Sequence, residues 1–271
     1  MRDVEVIRIQ AKRPFAKTKI PGADYVLNLY IGCEHACRYC YAKFMCRFYP
    51  YGEWGKWVVV KENIPQLVKN RYVKGWVYMS SVSDAYQPIE KRLKLTRKTL
   101  ENMDKRIKLS VLTKSPLILR DTDLFDQFKN VELGLTVNSF PDEFSRFAEP
   151  NAPPVSRRIS ALKDLKDSGF TTYAFISPVI PGLTDLEAIV KETEFVDFYW
   201  IEFLNWKAAG KEFRDFLISE YPEVMKNRDM DEIKRVLKGK SVRGVVIHDG
   251  GMRALRRFQS SSSQEAAGGG I

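Results

Sequence analysis

The sequence predicts an α/β chain built on a parallel sheet, and three observations carry that expectation. Short runs rich in β-branched and aromatic residues alternate with amphipathic stretches along most of the chain, the pattern of consecutive βαβ units. The length of 271 residues suits a single α/β barrel, and two domains are also compatible with it. Each candidate strand runs into a polar segment, as in barrels and sheets whose ligands bind at the carboxyl ends of the strands.

Strands are expected at 25–30, 75–79, 107–112, 131–137, 171–176 and 198–201, with a further one at 245–247. Helices are expected at 64–73, 96–103, 156–168, 185–195 and 211–221, where apolar residues recur at helical spacing. Ser168-Gly169 and Pro181-Gly182 supply stops and turns between them. The strand ends carry, in order, 32–40, Ser80-Ser81-Val82-Ser83-Asp84, Thr113-Lys114, Asn138-Ser139, Ser177-Pro178, and Glu202 with Asn205. Any one of these can be a helix cap. Together they predict the lining of one cavity. The run 260–271, SSSSQEAAGGGI, has the composition of a flexible tail and is set apart from the fold.

The first strand end holds Cys33-Glu34-His35-Ala36-Cys37-Arg38-Tyr39-Cys40, three of the four cysteines at C-x3-C-x2-C spacing. Three thiolates this close can converge on one metal centre, and iron–sulfur clusters are held by cysteines at such short local spacings. A [4Fe-4S] cluster needs four ligands, so three cysteines leave one iron open for chemistry. The alternative is a zinc knuckle completed by Cys46 or His35. Structural zinc sites usually come as two separated pairs, whereas these candidates lie in one short run. Otherwise Cys46 reads as a small buried hydrophobe.

Composition narrows the setting. An apolar fraction of 44% and a charged fraction of 29% suit a globular chain. The N-terminal MRDVEVIRIQAKRPF lacks the apolar region of a secretory signal, and no apolar run is long enough to span a bilayer. A cytoplasmic, reducing location without membrane contact is expected, and with it metal rather than disulfide chemistry. The formal net charge is +10, from 44 Lys+Arg and 34 Asp+Glu. Residues 91–120 hold ten basic and two acidic side chains, and 234–257 hold eight and one. Such patches are the footprint of a nucleic-acid partner, or simply a solvated basic surface. Nine aromatics fall between Tyr30 and Trp57, interleaved with Lys43, Arg47 and Lys56. Their expected work is mainly to shield the metal centre, with some tyrosines serving a substrate.

C-x3-C-x2-C with an aromatic residue before the third cysteine resembles the signature of radical S-adenosylmethionine (SAM) enzymes. The ordered segments GCEHACRYCYA, VVVKEN, SVSDAYQPIE, LTKSPLILRD and SPVIPGLTD resemble its spore photoproduct lyase-like, or DNA repair photolyase-like, branch. The resemblance implies a partial (β/α)6 TIM-type barrel of the radical SAM kind, a parallel sheet with outer helices. One domain would span 1–259, with a core at about 25–205 and extensions at both ends. Cys33, Cys37 and Cys40 would hold a [4Fe-4S] cluster, and SAM would chelate its fourth iron. Reductive cleavage of SAM would yield a 5′-deoxyadenosyl radical that takes hydrogen from a substrate. A reductase or a flavodoxin- or ferredoxin-type protein would donate the electron.

By the same resemblance, Tyr39 lies near adenine and Ser83 and Asp84 meet the methionine amino group. Lys114 reaches the SAM carboxylate or ribose, Thr136 and Asn138 the ribose, Arg158 the carboxylate, and Ile180 the adenine. Tyr41 matches a tyrosine that relays a hydrogen atom. The lyase proper carries a hydrogen-donor cysteine where this chain has Ser81. A serine O–H bond is too strong to take that part readily. The implied substrate is nucleic acid or nucleotide-derived, with a peptide, protein or small metabolite as the alternative.

Overall fold

The computed structural model describes residues 4–225, 230–248 and 252–256. The tail expected at 260–271 lies outside the described residues, as do 249–251 and 257 of the second basic stretch. The strands are β1 (Glu5–Ile9), β2 (Phe15–Lys17), β3 (Tyr25–Leu27), β4 (Tyr30–Ile31), β5 (Trp57–Lys61) and β6 (Trp76–Met79). They continue with β7 (Lys108–Thr113), β8 (Asn130–Val137), β9 (Thr171–Val179), β10 (Phe198–Phe203), β11 (Val242–His248) and β12 (Met252–Arg256). The large sheet runs β12-β11-β10-β9-β8-β7-β6-β3-β2. Every neighbouring pair from β3 to β11 is parallel. The outermost strands, β2 and β12, are antiparallel to their neighbours. This is the expected α/β architecture, a partial barrel left open between its two edges among the described residues.

Strand alternation decides the two faces. Val77, Met79, Leu109, Val111, Leu133, Leu135, Ala174, Ile176, Ile201 and Val245 turn outward into one buried cluster with the helices. Helix Val155–Asp167 answers with Arg158, Ala161, Leu162 and Leu165, a spacing that keeps them on one face. The opposite residues of each strand turn inward. Tyr173 crosses the inside to place its hydroxyl 3.2 Å from Ser110 Oγ, lying flat over Gly134. A Cβ on Gly134 would stand 2.2 Å from that ring. Trp200 fills the floor, where a Cβ on Gly244 would come within 2.4 Å of its indole. Bulky side chains therefore fill the barrel interior below the strand ends.

The expected strand 25–30 is broken in the middle. Tyr25–Leu27 stays in the large sheet, whereas Tyr30–Ile31 leaves it to pair antiparallel with β5. The break is made by Asn28, whose side chain turns to Ser81: Oδ1 accepts from the Ser81 amide at 2.7 Å and Nδ2 donates to its hydroxyl at 3.0 Å. β5, lying between β1 and β4, is buried on both faces and so reads as a continuous apolar run without alternation. The expected helix 64–73 is shorter, Ile64–Val68, because the chain turns at Asn70 with φ +58. Among the described residues no helix is long and apolar enough to cross a membrane.

Gly134→Ala should lower stability by about 1–3 kcal/mol, because Tyr173 is held in place and has no room to retreat. A urea denaturation midpoint equal to that of the parent chain would contradict this packing.

Candidate active site

The cysteine loop leaves β4 at Gly32, whose φ of +84 and contact with Trp57 exclude a side chain. From there its backbone is tied to the strand ends by buried polar side chains. Gln87, fully buried, accepts from the Glu34 amide at 2.9 Å and donates to the Gly32 carbonyl at 3.2 Å. The Glu34 carboxylate accepts from the Ile89 amide, and Asn151 Nδ2 donates to the Glu34 carbonyl at 2.8 Å. The Arg38 amide donates to the Ala148 carbonyl at 2.8 Å. Within the loop Ala36 and Cys40 donate back to Cys33 and Cys37, folding it into two successive turns.

Cys33 and Cys37 are buried, Cys40 is half-buried, and all three thiols are free. Burial pushes the Cys37 thiol up to about 12, although Lys114 pulls the other way. Burial also raises Cys33 and Cys40, and the charges of the other two cysteines act on Cys33 as well. Protonated, buried thiols are poor nucleophiles, so this trio suits a bound metal that takes their charge and not thiol catalysis.

Asp84 braces the loop from the end of β6. Its Oδ1 accepts from the Tyr86 amide at 2.8 Å and from Thr113 Oγ1 at 2.6 Å. Its Oδ2 accepts from the Lys114 amide at 2.8 Å and faces His35 Nδ1 at 3.4 Å. Burial would raise this carboxyl, yet His35, Thr113 and Lys114 overcome it and hold the group down at about 2. These four partners fill the carboxylate's acceptor positions. In this structure Asp84 is a brace, joining β6, β7 and the cysteine loop. Ser83, its neighbour, donates to the Tyr30 carbonyl at 3.1 Å and so anchors the loop's origin.

Glu149, which no sequence motif marked, gathers most of the remaining residues. Tyr39 donates its hydroxyl to Glu149 Oε1, and Asn138 Nδ2 donates to the same oxygen at 3.2 Å. Lys114 Nζ lies 3.8 Å from it and 5.7 Å from the centre of the Tyr39 ring. Arg158 Nη2 pairs with Glu149 Oε2, while its Nε donates to the Pro153 carbonyl at 2.7 Å. Arg158 also reaches the Thr136 carbonyl at 3.4 Å. Burial works to raise the Glu149 carboxyl, but Arg158 and Lys114 hold it down at about 2. Arg158, expected to meet a ligand carboxylate, is 1% exposed and already paired with this protein carboxylate. Lys114 is only half-buried and keeps a face toward the cavity.

One polar atom of this group has no partner. Asn138 Oδ1 is buried and accepts nothing from the protein, next to the Lys114–Glu149–Tyr39 assembly. A buried acceptor left open is costly unless something donates to it, as a ligand hydroxyl would. Ile180 is fully buried in a second apolar cluster with Phe144, Leu183 and Phe213, against which Tyr39 packs. It therefore stands behind Tyr39.

At the rim Tyr41 donates its hydroxyl to the Ser81 carbonyl, so these two residues meet. The Ser81 hydroxyl is engaged by Asn28. Cys46 packs with Ile31, Trp57, Val59 and Trp54, away from the other cysteines. The aromatic run divides: Tyr49, Tyr51 and Trp54 surround buried Trp57, while Phe44 on the 3-10 helix Tyr41–Arg47 and Phe48 just past it are exposed. The basic run 91–120 is partly internal. Arg97 pairs with Asp121 and Asp123, Arg120 with Glu90 and Asp121, and Arg106 with Asp104.

The arrangement can be tested against the two metal readings. Among the described residues no three His, Cys, Asp or Glu side chains stand as ligands of a single ion. A zinc knuckle requires such a set, but His35 faces Asp84 and Cys46 lies in the aromatic cluster. Three free thiols on one clamped loop, with an open buried acceptor beside them, fit a [4Fe-4S] cluster with a small polar ligand at its fourth iron.

The chain is similar to known proteins. The profile of the Radical SAM superfamily matches residues 27–193. An uncharacterized protein of Methanocaldococcus jannaschii is 53% identical over 256 residues, covering 90% of this chain and 98% of its own. An uncharacterized protein of Acidianus two-tailed virus is 28% identical over 228 residues, covering 76% of this chain and 75% of its own. Among solved structures, a spore photoproduct lyase variant with bound AdoMet and dinucleoside spore photoproduct aligns with a TM-score of 0.60 at 15% identity. The alignment covers 93% of this chain and 74% of that one.

Glu149→Gln leaves the Arg158 charge buried without its counter-ion and should cost about 3 kcal/mol near neutral pH. Glu149 lies at about 2 when folded against an ordinary 4.5, so its contribution is complete above about pH 4.5 and fades as pH falls toward 2. Urea titrations across that window should show parent and variant converging on acidification. A gap that widens would refute the pairing.

Proposed function

Since the chain belongs to the radical SAM superfamily, we propose that it is an enzyme carrying a [4Fe-4S] cluster on Cys33, Cys37 and Cys40 and binding SAM beside it. The observation that carries this reading is the clamped cysteine loop facing Lys114 and the open Asn138 acceptor. When bound, these groups supply a 5′-deoxyadenosyl radical able to abstract a substrate hydrogen. Lys114 offers its ammonium to the SAM carboxylate or ribose. Asn138 Oδ1 accepts from a ribose hydroxyl. Tyr39, fixed by Glu149 and backed by Phe213, forms an apolar wall for the adenine. Asp84, Glu149 and Arg158 keep those groups in place. Tyr173 and Trp200 below, with the aromatics around Trp57, exclude water that would quench the chemistry.

The substrate proposed is nucleic acid or nucleotide-derived. It is supported by the face just past the cysteine loop, where Tyr41 and Phe44 are each 43% exposed and Phe48 69%. Arg47 is exposed next to Phe48, and Arg38, also exposed, lies over the Phe147 ring with Glu212 at 3.6 Å. Aromatic faces stack bases and arginines meet phosphates, the usual means of holding unpaired strands. A lyase reaction ending in hydrogen return from cysteine is not proposed. By the resemblance Ser81 would stand at the donor position, and its hydroxyl is tied to Asn28.

Anaerobic reconstitution tests the chemistry. The parent chain should take up about four irons and, once reduced, cleave SAM. Cys37→Ala should lose both iron and cleavage, whereas Lys114→Ala should keep the iron and bind SAM more weakly. Full iron content in Cys37→Ala would refute the ligand set. Phe48→Ala tests the substrate face separately. It should weaken binding of a single-stranded oligonucleotide by about tenfold, corresponding to about 1–3 kcal/mol for a lost stack, while leaving iron content unchanged. Oligonucleotide binding that ignores salt would shift the substrate toward a peptide or small metabolite.

A further inference from the structure

Across the mouth from Lys114 lies a second polar group that the cofactor reading leaves unused. Ser177 lies two residues before the end of β9, Glu202 lies near the end of β10, and His248 ends β11, with Asn205 just past β10. Trp200, two residues before Glu202 on the same face of β10, fills the floor, so Glu202 occupies the layer above it. Ser177 and His248, from the neighbouring strands β9 and β11, both bond to the Glu202 carboxylate and hold it at the strand ends.

The bonds in this group all point one way. Asn205 Oδ1 accepts from the Ala208 amide at 3.0 Å as a helix cap, which turns its Nδ2 toward His248 Nδ1 at 3.3 Å. Nδ1 is then the acceptor, and Nε2 carries the hydrogen that it donates to Glu202 Oε1 at 2.9 Å. Ser177 Oγ donates to Glu202 Oε2 at 2.9 Å. Each carboxylate oxygen thus receives one donor from the protein and keeps one acceptor position. The side chain is 24% exposed, so those positions are reachable from the mouth. A carboxylate held by two donors cannot swing away. It presents a fixed pair of acceptors to whatever enters.

We propose that Glu202, positioned by His248 and Ser177, is the base-reading residue of this site and selects a nucleobase edge with two adjacent N–H donors, that of guanine. The proposal rests on the nucleic-acid reading above. Guanine N1–H and its 2-amino group match two parallel acceptors. Thymine and uracil present one N–H between two carbonyl oxygens, which a carboxylate repels. Adenine offers its amino group beside a ring acceptor. A good two-point match is worth about 1–3 kcal/mol, or about ten- to a hundredfold in affinity.

The test uses the anaerobically reconstituted full chain and fluorescence anisotropy with short single-stranded oligonucleotides that differ at one central base. Guanine should bind at least tenfold more tightly than thymine. Hypoxanthine, which lacks the 2-amino donor, should fall between them. Glu202→Gln replaces one acceptor by a donor and should abolish the guanine preference, with iron content as the check that the chain is intact. Ser177→Ala frees one oxygen without removing the carboxylate and should weaken the preference without inverting it. Salt-dependent binding that is equal for all bases overturns this inference and leaves the nucleic-acid reading standing. No oligonucleotide binding overturns both. A guanine preference that survives Glu202→Gln overturns the assignment to Glu202.

Discussion

The site depends on the attachment of one short loop to the ends of strands that run beneath it. Three cysteines within eight residues could hold a metal in many conformations. What selects one is a set of buried polar side chains reaching up from the sheet: Asp84 to His35, Gln87 to both Gly32 and Glu34, and Asn151 to Glu34. Each of these is costly to bury alone and is stable only when the loop answers it. The loop and the barrel therefore specify one another. A loop displaced from this position would strand Gln87, which is fully buried, without partners for its amide.

Glu149 solves a related electrostatic problem. Lys114 and Arg158 bring two positive charges to a buried place, and an uncompensated charge there would be very unfavourable. Glu149 neutralises Arg158 completely and Lys114 loosely, at 3.8 Å. The contrast matters. Arg158 is sealed and keeps the β8 end attached to helix Val155–Asp167, whereas Lys114, half-buried over Tyr39, retains freedom to meet an incoming anion. One carboxylate thus separates a structural cation from an available one.

The parallel sheet was legible because its strands are short β-branched runs divided by amphipathic helices, and the structure reproduces them to within a few residues. β5 was not, since Trp57–Lys61 is buried on both faces and lies in a region dominated by aromatics. The cysteine spacing and the polar strand ends announced where a site would be. Glu149 could not be found that way. It follows a helix C-terminus with no motif around it, and its importance arises only when Tyr39, Lys114, Asn138 and Arg158 meet in space. The resemblance offered Asp84 and Arg158 as ligand contacts. In the fold both are buried and their hydrogen bonds go to the protein.

Polar chemistry is thereby divided between two sides of a single mouth. On the β6–β8 side stand the cysteines, Lys114 and Asn138, whose open buried Oδ1 calls for a hydroxyl. On the β9–β11 side, Ser177 and His248 donate to Glu202, with Asn205 behind His248, leaving a carboxylate with unsatisfied acceptors. A cation-bearing half and an anion-bearing half cannot favour the same ligand group. Tyr41 stands at the boundary, bonded to Ser81 and within reach of the Glu202 charge. A molecule that is anionic along its backbone and rich in N–H donors along its edge would satisfy both halves at once. A simple carboxylic acid or a simple amine would satisfy only one.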